Sequence, residues 1–246
     1  MKRKMRPLGV DPSLLVKNLL LSGLPRDASR RLLPNMEIVH LSNNDILAES
    51  GEPIAYCYFP LSAVLGLVAD LEEGVPVGVG LIGEEGMMGI RVILGRSTGA
   101  NRAVVLSPGA GLRIPSKHLV AQFNQSTGFR NRLLHYVRYM LAQFSQTGAC
   151  NRIHLLEQRF CRWVLSFHDR VKSPRLVITQ GAVADVLGAP RTEVCRIIAS
   201  LKKRGLIDTG RRGILLKDRK GLESRSCECY WIIKYDYSPI DELTAD

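Results

Sequence analysis

Between Thr179 and Gly205 the chain carries two helical patterns that are separated by one short Gly-Ala-Pro turn. Thr179 is a residue type that caps helix N-termini, and Gly188 stands where a helix ends in a left-handed residue. Pro190 is favoured in the first turn of a following helix, because its missing N–H leaves no hydrogen bond unmade there. Two helices joined by so short a turn must cross closely. The pattern therefore predicts a helix-turn-helix whose second helix begins near Pro190.

The second of these helices has one apolar side and one polar side. Apolar residues recur along it at the spacings of a helix that packs on one face, and they are Val194, Ile197, Ile198 and Leu201. The first turns of such a helix enter the major groove, where an arginine can donate two hydrogen bonds to a guanine. The turn at 210–213 lies between two apolar segments and predicts a hairpin, or wing, whose arginines reach phosphates. The residues expected to contact DNA are Thr179, Gln180, Arg191, Thr192, Cys195, Arg196, Lys202, Lys203, Arg211 and Arg212.

The charge of the chain is concentrated in the same region. The whole chain has a formal net charge of +11, and residues 175–234 hold 13 Lys and Arg against 6 Asp and Glu, an excess of 7. A basic excess of this kind indicates a polyanionic partner such as double-stranded DNA. A basic pair of helices with a solvated charged face is the alternative interpretation.

The region from Met36 to about Ile114 has a different pattern of residues. Short apolar segments alternate with Asn, Gly, Pro and Ser at a spacing of roughly ten residues, which is typical of many short antiparallel strands. We therefore expect an α+β protein: an N-terminal antiparallel β-roll, jelly-roll-like, then a long dimerisation helix and a C-terminal winged helix-turn-helix. Helical patterns between residues 12 and 34 precede the roll.

The long helix is predicted between Phe129 and Ile153, a stretch of about 25 residues without proline. A helix that joins two domains has few ways to bury an apolar stripe, and pairing with its twin in a homodimer is one of them. Packing only on its own domain is the alternative. The residues expected at the dimer interface are Leu133, Leu134, Val137, Met140, Leu141 and Phe144.

These patterns divide the chain into four parts. We expect N-terminal helices and the β-roll at 1–115, a linker and dimerisation helix at 116–152, a winged helix-turn-helix domain at 153–234 and an acidic tail at 235–246. The apolar runs are interrupted well before the roughly 18 residues that a membrane span requires. The basic N-terminus lacks the cleavage site of a signal peptide, so we expect a cytoplasmic protein without a membrane partner.

The six cysteines show no disulfide framework. Cys227 and Cys229 are the only close pair, and a single C-x-C with no second pair and no nearby histidine is a weak metal signal. Ordinary free thiols are the expected interpretation, with no metal and no cofactor. Cys195 lies on the expected DNA-contacting face, which raises the hypothesis that oxidation of its thiol alters binding.

The order of parts resembles the Crp/Fnr family of bacterial transcription regulators. The resemblance covers nearly the whole chain and rests on GEPIAYCYFP, GEEGMMG, LSPGAGLRIP and, most specifically, TQGAVADVLGAPRTEVCRIIASLKKRGLI. It implies a cyclic-nucleotide-binding-type roll, a homodimer and a two-fold symmetric DNA site. It further implies RNA polymerase as a partner and a small-molecule effector, whose identity the sequence leaves open.

The resemblance also bears on base reading. In the family's recognition helix an arginine, a glutamate and a second arginine commonly contact bases, and Arg191 and Arg196 match the two arginines. Thr192 stands at the glutamate position, with Glu193 one residue later and hence turned by about 100° around the helix. We expect a DNA site that is related to the family's sites and different from them.

The effector site departs from the family pattern. The family's phosphate-binding cassette has a Gly-Glu pair and a later Arg-Ser or Arg-Thr, and the candidates here are Gly83, Glu84, Arg96 and Arg102. Arg96-Ser97 comes too early relative to the following strand, and Asn101-Arg102 replaces the pair if the strand is aligned. Cyclic-nucleotide binding is therefore not expected. No cysteine precedes Cys57, so the N-terminal iron–sulfur cluster of oxygen-sensing members is not expected either.

Two other classes of function are alternatives to a DNA-binding regulator. A ligand-binding signalling module would use the basic C-terminal part for protein contacts, and loss of salt-sensitive DNA binding would favour it. An enzyme is not expected, because the sequence shows no paired carboxylates, no Ser/His/Asp grouping in a recognisable context and no phosphate-binding loop.

Overall fold

The computed structural model describes residues 10–72, 76–210 and 213–236. Its α-helices are α1 Leu19–Ser22, α2 Arg26–Leu32, α3 Ser116–Gln125, α4 Thr127–Ile153, α5 Leu156–Val171, α6 Gln180–Leu187, α7 Arg191–Lys203, α8 Arg219–Glu223 and α9 Cys229–Asp236. Its strands are β1 Glu37–Leu41, β2 Ile46–Ala48, β3 Tyr56–Pro60, β4 Val64–Ala69, β5 Val77–Ile82, β6 Arg102–Ser107, β7 Gly109–Pro115, β8 Arg175–Leu176, β9 Ile207–Gly210 and β10 Gly213–Leu216. Short 3₁₀ helices occupy Pro12–Lys17, Leu33–Asn35 and Ile90–Leu94.

The first seven strands form the predicted roll from two antiparallel sheets, with strand orders β1-β7-β3 and β2-β6-β4-β5. Side chains alternate between the two faces of each strand. On β7, Leu112 and Ile114 are buried, whereas Arg113 between them donates to Glu37 on the neighbouring strand. Apolar side chains from both sheets, such as Phe59 and Val105, share one core with α1 to α4. The expected α+β class is confirmed, with the roll at the N-terminal side.

Helix α4 is the long helix that the sequence predicts, and it spans 27 residues from a Ser126 cap. Only part of the expected dimerisation stripe lies on its free side. Leu134 and Leu141 are 44% and 60% exposed. Leu133 and Met140 are instead buried in the protomer's own core, so a partner helix cannot contact them in this structure. The reason is that one side of α4 already covers the roll, which buries two of the six apolar positions.

The roll and the predicted helix-turn-helix region share a second core. Val64, Leu81 and Leu106 of the roll belong to the same buried cluster as the apolar side chains of α5, α6 and α7. The approach is close where β5 meets α6: a Cβ added to Gly78 would lie 2.4 Å from Cγ1 of Val186. The roll and the helices α5 to α7 therefore pack directly against each other through a shared core.

Helix α9 is the last element of the described residues, and the sequence patterns did not predict it. Helix α9 runs through Tyr235 and Asp236, both assigned above to the acidic tail, and Arg138 of α4 bonds to Asp236. The remainder of that tail, 237–246, lies outside the described residues. Within the described ranges, no helix combines the length and the apolar character that crossing a membrane needs.

Candidate nucleic-acid interface

The turn between α6 and α7 has the capping geometry that its residue types predict. Oγ1 of Thr179 accepts a hydrogen bond of 3.1 Å from the Ala182 N–H at the start of α6. Gly188 has a φ of +56°, and the next N–H, of Ala189, donates to the Ala184 carbonyl at 3.1 Å. This bond pattern satisfies carbonyls that a helix end leaves unpaired. The chain then turns through Pro190, and α7 begins at Arg191.

The two helices are held together by small and apolar side chains. Val183, Ala184 and Leu187 of α6 are buried. On α7 the buried residues are Val194, Ile198 and Leu201, whereas Ile197 is only partly buried. Helix α5 adds a further restraint, because Arg159 donates to the carbonyl of Leu187 at the end of α6. The orientation of α7 is therefore determined by its packing on α6, which a hydrogen bond from α5 restrains in turn.

The opposite side of α7 is basic and open to solvent. Arg191, Thr192 and Arg196 are all exposed, as is Lys203 at the far end. Thr192 and Arg196 are one turn apart and face the same direction, with Arg191 in the first turn. Glu193 is also exposed, close to the same helix start. Three of the expected base-reading side chains thus lie where a duplex can reach them.

Other predicted contact residues already have partners in the protein. The Cys195 thiol donates to Oε1 of Gln180 at 3.1 Å, which links α7 to α6. Lys202 lies 2.9 Å from a carboxylate oxygen of Asp208 on β9. Thr179 caps α6 and is itself exposed to solvent. These contacts position the two helices and the wing. The guanidinium groups of Arg191 and Arg196 remain exposed to solvent near the start of α7.

The wing has the predicted hairpin form. Strands β9 and β10 pair antiparallel, with Ile207 opposite Leu216, and β8 adds a third strand. Gly213 at the hairpin has a φ of +102°, and a Cβ there would lie 2.0 Å from the Leu176 carbonyl oxygen. The two wing arginines expected to reach phosphates, Arg211 and Arg212, lie outside the described residues.

A polar network ties the wing domain to α5. Arg219 donates to Asp169 at 2.7 Å, and the Tyr230 hydroxyl donates to the same carboxylate at 2.7 Å. Arg219 also lies 2.8 Å from Nδ1 of His168. Burial, together with the positive charge of this arginine, lowers the pKa of His168. A neutral imidazole can accept from the guanidinium, whereas an imidazolium cannot.

The roll contains a pocket of about 400 Å³ between its sheets and α4. Its lining is mostly apolar, and Arg91 and Asn101 contribute polar groups. The residues that line it from the strands, the 3₁₀ helix and α4 include Leu67, Ile82, Met87, Met88, Ile90, Met140, Leu141 and Phe144. Sequence reasoning missed Arg91, because it lies outside the cassette pattern, and it considered Asn101 only as the residue that replaces the arginine of the Arg-Ser pair.

The four residues expected to bind an effector do not come together at this pocket. Glu84 pairs with Lys172, the residue after α5, and Arg102 bonds to Asp70 at 2.8 Å. Arg96 is exposed, and none of the four, including Gly83, is among the residues that line the pocket. The Gly83-Glu84 turn instead faces Arg170 and Lys172, at the end of α5. An effector site at these four positions stays a prediction, and the roll pocket lies elsewhere.

Comparison with known proteins agrees with the geometry. Residues 158–225 match the family described as the Crp-like helix-turn-helix domain. FixK2 from Bradyrhizobium japonicum superposes with a TM-score of 0.68 at 14% identity, over 78% of this chain and 98% of that chain. A CRP/FNR-family transcriptional regulator from Thermus thermophilus superposes with a TM-score of 0.63 at 21% identity, over 77% of this chain and 98% of that chain. No curated relative matches.

At these identities the superpositions describe the fold, and the domain match describes the helix-turn-helix. Both agree with the resemblance drawn from the sequence motifs. Residues 158–225 form a Crp-like helix-turn-helix domain, and the chain has the fold of the Crp/Fnr transcriptional regulators.

Proposed function

We propose that this protein is a sequence-specific transcription regulator that binds a two-fold symmetric DNA site as a homodimer. The observation that carries the proposal is the exposed basic start of α7, with Arg191 and Arg196 on a helix whose other side is locked in a core. A rigid helix positions its arginines for bidentate contact with guanine, which discriminates bases by about 1 to 3 kcal/mol per pair. Such a regulator acts in the cytoplasm, with RNA polymerase as its further partner.

The homodimer is supported by the free side of α4. Leu134 and Leu141 are seven residues apart, and Gly148 follows after another seven, where an added Cβ would meet nothing within 4 Å. A spacing of seven keeps side chains on one stripe of a helix, as in paired helices. Val137 and Phe144, only partly buried, flank this stripe. Two recognition helices in such a dimer would read half-sites about 34 Å apart.

Modulation by an effector is supported by the position of the roll pocket. Leu141 and Phe144 line the pocket and belong to α4, so a molecule bound there touches the helix on which we place the dimer contact. The lining favours a largely apolar molecule, with Arg91 as the one cationic side chain among the lining residues. A cyclic nucleotide would need its phosphate bound by a paired arginine, and Arg102 is engaged with Asp70 instead.

The first test is selection of bound fragments from a bacterial genome, for the wild-type protein and for Arg191→Ala. Arg30→Ala is the matched control, because Arg30 is an exposed arginine on α2 and carries the same charge. We expect the wild type and the control to recover one two-fold symmetric motif. In Arg191→Ala we expect a loss of affinity for that motif of about 1 to 3 kcal/mol, with relaxed preference at one base pair of each half-site.

The salt dependence of binding separates this proposal from its alternative. A phosphate-contacting regulator loses affinity as salt rises, and it still prefers its motif over random DNA. Equal, weak recovery of all fragments by the three proteins would contradict base reading. The basic C-terminal part would then be a charged surface, and a ligand-binding module that makes protein contacts would be favoured.

A further inference from the structure

Four side chains with metal-binding atoms meet where α4 ends and α9 begins. Cys150 lies in the last turn of α4 and His154 directly follows that helix, whereas Cys229 begins α9 and Cys227 stands two residues before it. The ligand atoms of all four lie within 4.8 Å of one another. Sγ of Cys150 is 3.5 Å from Sγ of Cys227, and Sγ of Cys229 is 3.5 Å from Nδ1 of His154.

This cluster corrects the earlier interpretation of the C-x-C pair as ordinary thiols. That interpretation compared neighbours along the chain and found no second pair and no histidine. The fold supplies Cys150 from α4, 77 positions before Cys227, and His154 from the residue that follows α4. All three thiols are buried, so they form a closed set inside the protein.

The size of the cluster fits a single ion. The centre of a tetrahedron lies about 0.6 times its edge from each corner, so edges of 3.5 to 4.8 Å place the centre about 2.1 to 2.9 Å from each ligand atom. Zinc takes thiolate at about 2.3 Å and imidazole at about 2.0 to 2.1 Å in Cys₃His sites, which requires only a small contraction. A cubic iron–sulfur cluster holds its cysteine sulfurs outside separate corners and needs them farther apart.

The surroundings of the cluster match those of a metal site. Nε2 of His154, the nitrogen that faces away from the thiols, lies 3.2 Å from Oε1 of Glu228. A carboxylate on the second nitrogen orients a metal-bound histidine and raises its basicity. Nε2 of Gln146 donates to Sγ of Cys229 at 3.0 Å, which stabilises a thiolate there.

Charge balance points the same way. Three thiolates around a dication leave one net negative charge in the interior, which is costly without a partner. The guanidinium of Arg162 is buried, acts electrostatically on Cys150, and has an Nε with no hydrogen-bond partner within the described ranges. Arg159, which is half-buried, also interacts electrostatically with Cys150 and Cys227.

We infer that Cys150, His154, Cys227 and Cys229 bind one tetrahedral Zn²⁺ ion. The ion fastens α9 to the end of α4, directly before the turn into α5. All four ligands lie outside the matched domain, 158–225, so the site is an addition to the helix-turn-helix. Because neither DNA nor a second protomer takes part, the site stands independently of the proposed function.

The test uses the full-length protein purified without added metal. We expect about one zinc per chain by elemental analysis. After removal of zinc with a chelator, added Co²⁺ should give the intense visible absorption of a tetrahedral thiolate site. Cys227→Ser/Cys229→Ser should lose the zinc and the cobalt spectrum, and Cys195→Ser, which removes a thiol on α7, should keep both.

A milder variant guards against loss of folding. His154→Asn leaves three thiolates, so we expect the cobalt absorption to shift and the affinity for Zn²⁺ to fall by about 10-fold or more. His135→Asn, on the same helix outside the cluster, should change neither. Three results would overturn the assignment: wild-type protein that binds neither ion, iron with acid-labile sulfide in place of zinc, or zinc retained by the double serine variant. A Cys150–Cys227 disulfide in freshly purified, metal-free protein would also overturn it.

Discussion

The ion pair between Glu85 and Arg170 connects the roll to helix α5, and its removal should lower the stability of the fold. Nε of Arg170 on α5 donates to Oε1 of Glu85, in the turn after β5, at 2.7 Å. The two side chains are only 11% and 9% exposed. Arg170 also donates to the Tyr139 hydroxyl and to the Ser166 carbonyl, each at 2.9 Å. The pair therefore sits in a polar network that solvent barely reaches.

The perturbation we propose is Arg170→Met, which keeps most of the side-chain volume and removes the charge. Breaking a buried pair by removing one partner costs about 3 to 5 kcal/mol, because the other charge stays buried. Glu85 keeps the backbone N–H of Gly83, at 3.1 Å from both carboxylate oxygens, so the low end of that range applies. We expect the free energy of unfolding to fall by about 3 kcal/mol. Glu85→Gln should cost less, about 2 kcal/mol, because Arg170 retains its other acceptors.

The assay is urea unfolding of both single variants and of the double variant. The double variant buries no unpaired charge, so its cost should fall short of the summed single costs by about 2 kcal/mol. Arg102→Met, which breaks the more exposed pair with Asp70, is the control and should cost about 1 kcal/mol or less. Additive single costs, or a cost for Arg170→Met no larger than the control's, would refute the reasoning.

Three further predictions concern single residues. Gly188→Ala should lower the melting temperature more than Gly205→Ala: both glycines have positive φ, but only at Gly188 would a Cβ meet another side chain, at 2.8 Å. Because the pKa of His168 is lowered in the folded state, the unfolded chain binds the proton more readily. Stability should therefore fall as the pH drops below about 6.5, and His168→Gln should flatten that fall in urea titrations at several pH values. Burial raises the pKa of Cys57 to about 11, so its thiol should react with iodoacetamide at pH 8 far more slowly than the half-buried Cys195; equal rates by mass spectrometry would contradict this.

Local chemistry in the sequence determined much of the helix-turn-helix domain. A glycine with positive φ, a threonine cap and a proline at a helix start act on the residues beside them, and they predicted the α6–α7 turn residue by residue. The spacing of apolar residues likewise predicted α4 and the strands of the roll, because each period belongs to one kind of backbone. These properties depend on neighbours within a few positions, so one sequence suffices to see them.

The sides of α4 were decided only by tertiary packing. Leu133 and Leu134 have the same residue type and adjacent positions, yet one is buried in the roll's core and the other is 44% exposed. Periodicity identifies an apolar stripe but not what covers it. The surroundings of the predicted effector residues depend on packing in the same way: a motif predicts which residues share a turn, whereas the packing of α5 near that turn gives Glu84 its ion pair with Lys172.

The cysteine and histidine cluster shows the same division most clearly. Cys150 and His154 are one helical turn apart, and Cys227 and Cys229 are two residues apart, so each half is visible in the sequence as a weak pair. Only the packing of α9 against the end of α4 brings the halves within bonding distance of one ion. Contacts between residues 77 positions apart depend on how every element between them packs, and that is the information the three-dimensional fold adds.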